Sequence, residues 1–77
     1  MTALMALSMV SAGEEVRLVG VRGGWGVRRR LADMGLTPGE KVWVVQSDHS
    51  GPLLIAVRGS RLALGRGMAH KIMVEPV

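Results

Sequence analysis

Val27-Arg28-Arg29-Arg30-Leu31-Ala32-Asp33-Met34-Gly35-Leu36-Thr37-Pro38-Gly39-Glu40-Lys41-Val42-Trp43-Val44-Val45-Gln46 is the stretch in which the hydrophobic period of this chain changes. Val27, Leu31 and Met34 recur at i, i+4 and i+7, so a helix places them on one face and the three arginines largely on the other. Gly35 follows at the position where a left-handed residue ends a helix, and Pro38 blocks resumption, so the helix is predicted to run from Val27 to about Met34. Leu36 to Glu40 then reads as a type II turn, with Pro38 at i+1 and Gly39 supplying positive φ at i+2. From Lys41 onward the residues are β-branched or aromatic with a period of two, which predicts a strand.

Working outward, Val16 to Val21 is a loosely alternating β-branched run after a turn signal at Ala12 to Glu15, and it predicts the strand before the helix. Gly23-Gly24-Trp25-Gly26 breaks the chain between the two, placing Trp25 in a loop. Asp48 to Pro52 is a polar loop of hairpin length leading to a strand over Leu53 to Arg58. Gly59-Ser60 predicts a tight second hairpin into Arg61 to Leu64. Gly65 to His70 supports one helical turn at most, and Lys71 to Glu75 is a last strand. Met1 to Gly13 contains no charged residue and is far shorter than the roughly 20 apolar residues that span a bilayer, so it is expected to be a first strand or a plug on the core. The sum is a mostly β fold: one domain over 1–77, a small, partly open five-stranded barrel with one α-helix between the first and second main strands.

With 77 residues and 48% hydrophobic content, but only Trp25 and Trp43 aromatic, the core must be built from aliphatic side chains and stays thin. A pocket carved from that core is not expected, and no nucleophile with a base, no paired carboxylates and no phosphate-loop pattern appears, so the sequence argues against an enzyme. With no cysteine, hydrophobic burial must hold the fold together, and a reducing, cytoplasmic setting is the default. The net charge of +4 and isoelectric point of about 11.2 point to acidic partners.

The ordered set Leu7, Met9, Gly13-Glu14-Glu15-Val16, then Arg30-Leu31-Ala32-Asp33-Met34-Gly35-Leu36-Thr37-Pro38-Gly39, then Gly51-Pro52, Val57, Gly59, Leu62-Ala63-Leu64 and Ala69-x-x-Ile72-x-Val74 resembles the FeoA family over nearly the whole chain. Leu31, Met34, Gly35, Leu36, Pro38 and Gly39 carry its Arg-Leu-x-x-Met/Leu-Gly-Leu/Ile-x-Pro-Gly signature. The resemblance implies an SH3-like barrel that binds FeoB, the membrane ferrous iron transporter with a cytoplasmic G domain, and modulates its activity or assembly. A related barrel forms a domain of metal-dependent repressors, so an accessory module of that kind is the alternative on fold alone. Two positions depart from the family: Gly65 stands where a basic residue is often found, which predicts a looser helical turn, and Trp25 is larger than expected in its loop.

The candidate partner-binding residues are Trp25, Arg28, Arg29, Arg30 and Trp43. The arginines suit an acidic surface through bidentate contacts, with Arg30 favoured for its place in the signature; a plain solvated helix face is the competing reading. Trp25 is either an exposed anchor or a lid folded over the barrel end. Trp43 lies outside if Val42 and Val44 face the core, where it marks a contact surface or a dimer interface. His49, beside Asp48, and His70 are the only imidazoles; no physiological metal site and no cofactor is expected. A nucleic-acid reading would use Arg22, Arg58, Arg61 and Arg66 with the helix arginines as phosphate contacts, but two aromatic rings are few for stacking bases, so no nucleic-acid partner and no membrane insertion is expected. Self-association through Trp43 or an exposed strand stays open.

Overall fold

The switch from helix to strand takes the form that the residues between Leu31 and Glu40 dictate. In the computed structural model, which describes residues 4–48 and 50–77, helix α1 spans Trp25–Asp33 with Met34 as its C-cap. Gly35 adopts φ +86°, its N–H bonds the Ala32 carbonyl at 2.9 Å, and the Leu36 N–H reaches back to the Leu31 carbonyl at 2.9 Å. These two bonds are a Schellman motif, and both leucines that accompany it are fully buried. The type II turn closes next, with Gly39 at φ +95° and Glu40 N–H on the Thr37 carbonyl at 3.1 Å. Leu31, Met34, Gly35, Leu36, Pro38 and Gly39 of the family signature thus all take part in one helix stop and one turn.

Strand β2 (Glu15–Val21) precedes α1, and β3 (Lys41–Gln46), β4 (Leu53–Val57) and β5 (Ser60–Leu64) follow as an antiparallel meander. The four-residue helix α2 (Arg66–Ala69) leads to β6 (Ile72–Pro76), which returns to pair with β2. The chain also forms β1 (Met5–Ala6) on the far edge of β6, followed by a 3₁₀ turn over Leu7–Met9. The order is thus β1-β6-β2-β3-β4-β5, six strands rather than five. The sixth is the uncharged N-terminal segment, which is both strand and plug: Met5 and Ala6 pair with β6 while Leu7 and Val10 are buried. Among the described residues β1 and β5 do not pair, so the sheet curls around its core without closing by hydrogen bonds.

Alternation decides what lies inside. Val16, Leu18, Val42, Val44, Leu53, Ile55, Val57, Ile72 and Val74 point inward from their strands and join Leu7, Leu31 and Leu36 in one cluster. Two boundaries differ from the sequence reading. Helix α1 starts at Trp25, two residues before the apolar period begins at Val27, because the Gly24 carbonyl already accepts the Arg28 N–H at 3.2 Å and makes Gly24 the N-cap. The second hairpin turns at Arg58-Gly59 rather than Gly59-Ser60: Val57 pairs with Ser60, and both turn residues have positive φ, +51° and +78°. That is the primed geometry a two-residue hairpin needs. Arg58 adopts it while its Nε donates to Glu40 Oε1 at 2.8 Å and its Nη2 to the same oxygen, which raises the Arg58 pKa above its ordinary value through that bond and the attraction of the carboxylate.

Candidate functional site

Helix α1 has three faces, and each has a different neighbour. Val27, Leu31 and Met34 face the core; Trp25, Arg28, Arg29 and Ala32, at i, i+3, i+4 and i+7, form the adjoining stripe; Arg30 and Asp33 fall on the remaining face. The middle stripe makes one wall of a groove of about 640 Å³. Val19, Gly20 and Val21 of β2 make the other wall, and Leu36, Thr37 and Pro38 of the turn close its end. The helix stop thus both packs α1 and contributes residues to the groove.

A local irregularity turns β2 toward this groove. Leu18 pairs with Val74 and Gly20 with Met73, so Val19 is an extra residue on its strand, a β-bulge. Bulges re-aim side chains, and Val19 remains exposed at the groove despite being apolar. Trp25 stands at the opposite lip, 78% exposed, so its side chain is held out to solvent and is not packed as a lid on the barrel end. Helix α1 starts with Gly24 at its N-cap, without a side-chain cap and with no acidic residue in its first turn. Positive potential from the helix end adds to that of Arg28 and Arg29 beside the apolar walls. A pocket in the core was not expected, and the groove is not one. It lies between helix and sheet, so its walls cost the core nothing.

The five candidate residues do not form one site. Trp25, Arg28 and Arg29 line the groove; Arg30, exposed, does not; and Trp43 is on the outer face of β3, 52% exposed, with Val42 and Val44 fully buried behind it. Nor are the arginines of the nucleic-acid reading equally available. Arg58 is held by Glu40. Arg66 is half-buried, donating to the Ser8 carbonyl at 3.0 Å, to Ser47 Oγ at 3.3 Å and to the Asp48 carbonyl. This anchors α2 to the N-terminal 3₁₀ turn and to the end of β3, so the turn that Gly65 was expected to loosen is tied at its first residue. Its Nε is buried without a partner among the described residues.

His70 is exposed, with Nδ1 3.4 Å from Ser8 Oγ. His49 lies outside the described residues. Among the described residues no three of His, Asp and Glu are grouped to hold a metal ion, and no helix is long and apolar enough to cross a membrane.

Sequence reasoning did not find the groove walls contributed by Val19, Ala32 and Pro38. One signal was present: the alternation of β2 loosens at Val19-Gly20, where the bulge lies.

Comparison with known proteins agrees with this architecture. A protein of Methanocaldococcus jannaschii with the provisional name Fe(2+) transport protein A is 42% identical over 69 residues, 90% of this chain and 83% of that protein. The crystal structure of an iron uptake regulatory protein, FeoA, superimposes with a TM-score of 0.90 at 38% identity, covering 95% of this chain and 97% of that one. A manganese-dependent transcriptional repressor also superimposes with a TM-score of 0.90, over all of this chain but 44% of its own, and at 16% identity that likeness is one of fold alone. The profile of the FeoA domain matches residues 5–76, and this chain belongs to the FeoA family.

Proposed function

We propose that this chain is a cytoplasmic accessory protein of ferrous iron uptake that binds a FeoB-type membrane transporter and modulates its activity or assembly. Family membership supports the transport setting. The observation that carries the binding mode is the groove between α1 and β2, apolar on its walls, with the exposed Trp25 at one lip and Arg28 and Arg29 beside it. Such a groove suits an apolar segment flanked by carboxylates: the apolar side chains fill it, Trp25 closes over them, and the arginines take the acids in bidentate contacts. The protein acts here as a binding module. Its effect on the transporter is then limited by its difference in affinity for two states of the G domain.

Titrating the full-length transporter in detergent, and separately its cytoplasmic G domain, with this protein tests the reading. Saturable binding is expected, weakened by Trp25→Ala about 30-fold, the scale of a hot-spot tryptophan. Arg28→Ala with Arg29→Ala should weaken binding mainly at low salt, and Arg30→Ala should leave it unchanged. Absence of binding, or binding indifferent to the groove substitutions, overturns the proposal. Tight, salt-sensitive binding to an oligonucleotide instead would favour the nucleic-acid reading.

A further inference from the structure

A single row of residues crosses the outer face of four strands. Glu15 of β2 pairs with Trp43 of β3, Trp43 with Ala56 of β4, and Ala56 with Arg61 of β5. Directly paired residues of antiparallel strands share a face, so the row presents an acid, a large apolar group, a small apolar group and a base in that order. Its large members are solvent-facing: Trp43 is 52% exposed, and Glu15 and Arg61 are exposed with no ion-pair partner among the described residues. Leu54, half-buried, and Ala63 extend the apolar surface on β4 and β5.

This order is complementary to itself. A two-fold axis lying along the strands, midway between Trp43 and Ala56, carries each end of the row onto the other. Trp43 of one copy then covers Ala56 of the second, large against small, and Glu15 of each copy meets Arg61 of the other. From this we infer that the outer face of β2 to β5 is a homodimer interface, in which two copies pack face to face across the Trp43–Ala56 row. It is a different surface from the groove beside α1, so both can be occupied at once.

The area sets the strength. Four strands about 4.8 Å apart and five residues long offer a face roughly 19 by 17 Å. The curl of the sheet makes it convex, confining close contact to β3 and β4 and leaving the long Glu15 and Arg61 side chains to reach across at the rims. With contact confined to two of the four strands, two such faces bury on the order of 500 Å² between them, below the size of stable specific interfaces, which corresponds to a weak, reversible dimer. Association is therefore expected only at about hundreds of micromolar and above.

Sedimentation equilibrium of the full chain over about 1 µM to 1 mM at low salt, a range chosen to bracket that affinity, is the test. The wild-type protein should shift from monomer to dimer. Glu15→Arg places positive charge at both ends of the row, and Arg61→Glu places negative charge at both ends. Each variant alone should associate at least about tenfold more weakly, since both symmetry-related contacts become repulsive. An equimolar mixture of the two should recover dimerisation, and so should the double variant. All these positions are exposed, and circular dichroism of each variant is the check that it folds. Trp43→Ser should abolish the shift in an otherwise intact protein. A wild-type chain that stays monomeric throughout, an association that ignores the charge reversals, or a mixture that fails to recover would each overturn the proposal. So would a Trp43 that is protected by the transporter and never by a second copy.

Discussion

The two helices of this domain start alike and end up doing different things. Both α1 and α2 have a glycine at the N-cap, Gly24 and Gly65, with no side-chain cap and no acid in the first turn, and both carry arginine. Around α2, three oxygens lie within reach of Arg66, and its guanidinium is drawn in between the N-terminal 3₁₀ turn and the end of β3. Around α1 the neighbouring groove wall is Val19, Gly20 and Val21, and Arg28 and Arg29 remain exposed beside it. Basic residues therefore divide by what faces them. Where acceptors are fixed nearby they become structural, and where the wall is apolar they stay exposed to solvent.

That contrast can be broken most severely at the root of α1. Leu31→Ala removes a fully buried side chain from the core stripe and from the Schellman motif, and should cost about 3 kcal/mol in urea denaturation. This is a large share of the roughly 4–11 kcal/mol expected for a domain of this size. Next, Arg66→Ala should lower stability by about 1–2 kcal/mol because it strips partners from two carbonyls and a hydroxyl, whereas Arg28→Ala and Arg29→Ala should each stay within about 0.5 kcal/mol. Equal effects at the three arginines, measured by the same denaturation curves, would erase the distinction between the two helices.

Gly35→Ala sharpens the comparison on the α1 side. A Cβ there meets nothing closer than Arg58 Cδ at 3.9 Å, so the cost is that of the left-handed backbone alone, about 1 kcal/mol, visible as a lowered thermal midpoint. The smallest effect belongs to Gly24→Asp. A capping carboxylate should stabilise the isolated domain by a few tenths of a kcal/mol while weakening the groove for an acidic partner, so stability and binding move in opposite directions.

Much of the fold was legible because it rests on local chemistry. Gly35 and Pro38-Gly39 stop the helix and make the turn with backbone angles that other residues adopt at a cost, and the alternation of β3 and β4 announces which side is buried. The N-terminal segment was legible only as a strand or a plug because Met5-Ala6 is a two-residue strand with no period to detect; the edge of β6 makes it one, the sixth of the sheet. The hairpin turn shifted by one residue because an arginine at positive φ is not a turn signal, and the Glu40 that holds it lies 18 residues away. The site was half legible. Trp25, Arg28 and Arg29 stood out by composition, but the separation of Arg30 from them is a matter of 100° per residue combined with where β2 passes. Val19 and Ala32 carry no chemistry of their own and acquire a role only as facing walls.

By itself, then, the sequence determined the order of elements from β2 to β6, the helix stop, the aliphatic core and the family to which the chain belongs, since each is written in residues close together or in an ordered set along the chain. Only the tertiary structure decided which arginines are free, that a groove opens beside α1, and that Glu15, Trp43, Ala56 and Arg61 stand in one row across four strands. Those properties depend on register between strands and on which acceptors happen to lie opposite. Both are set by the burial of the whole core at once and by no local stretch of it.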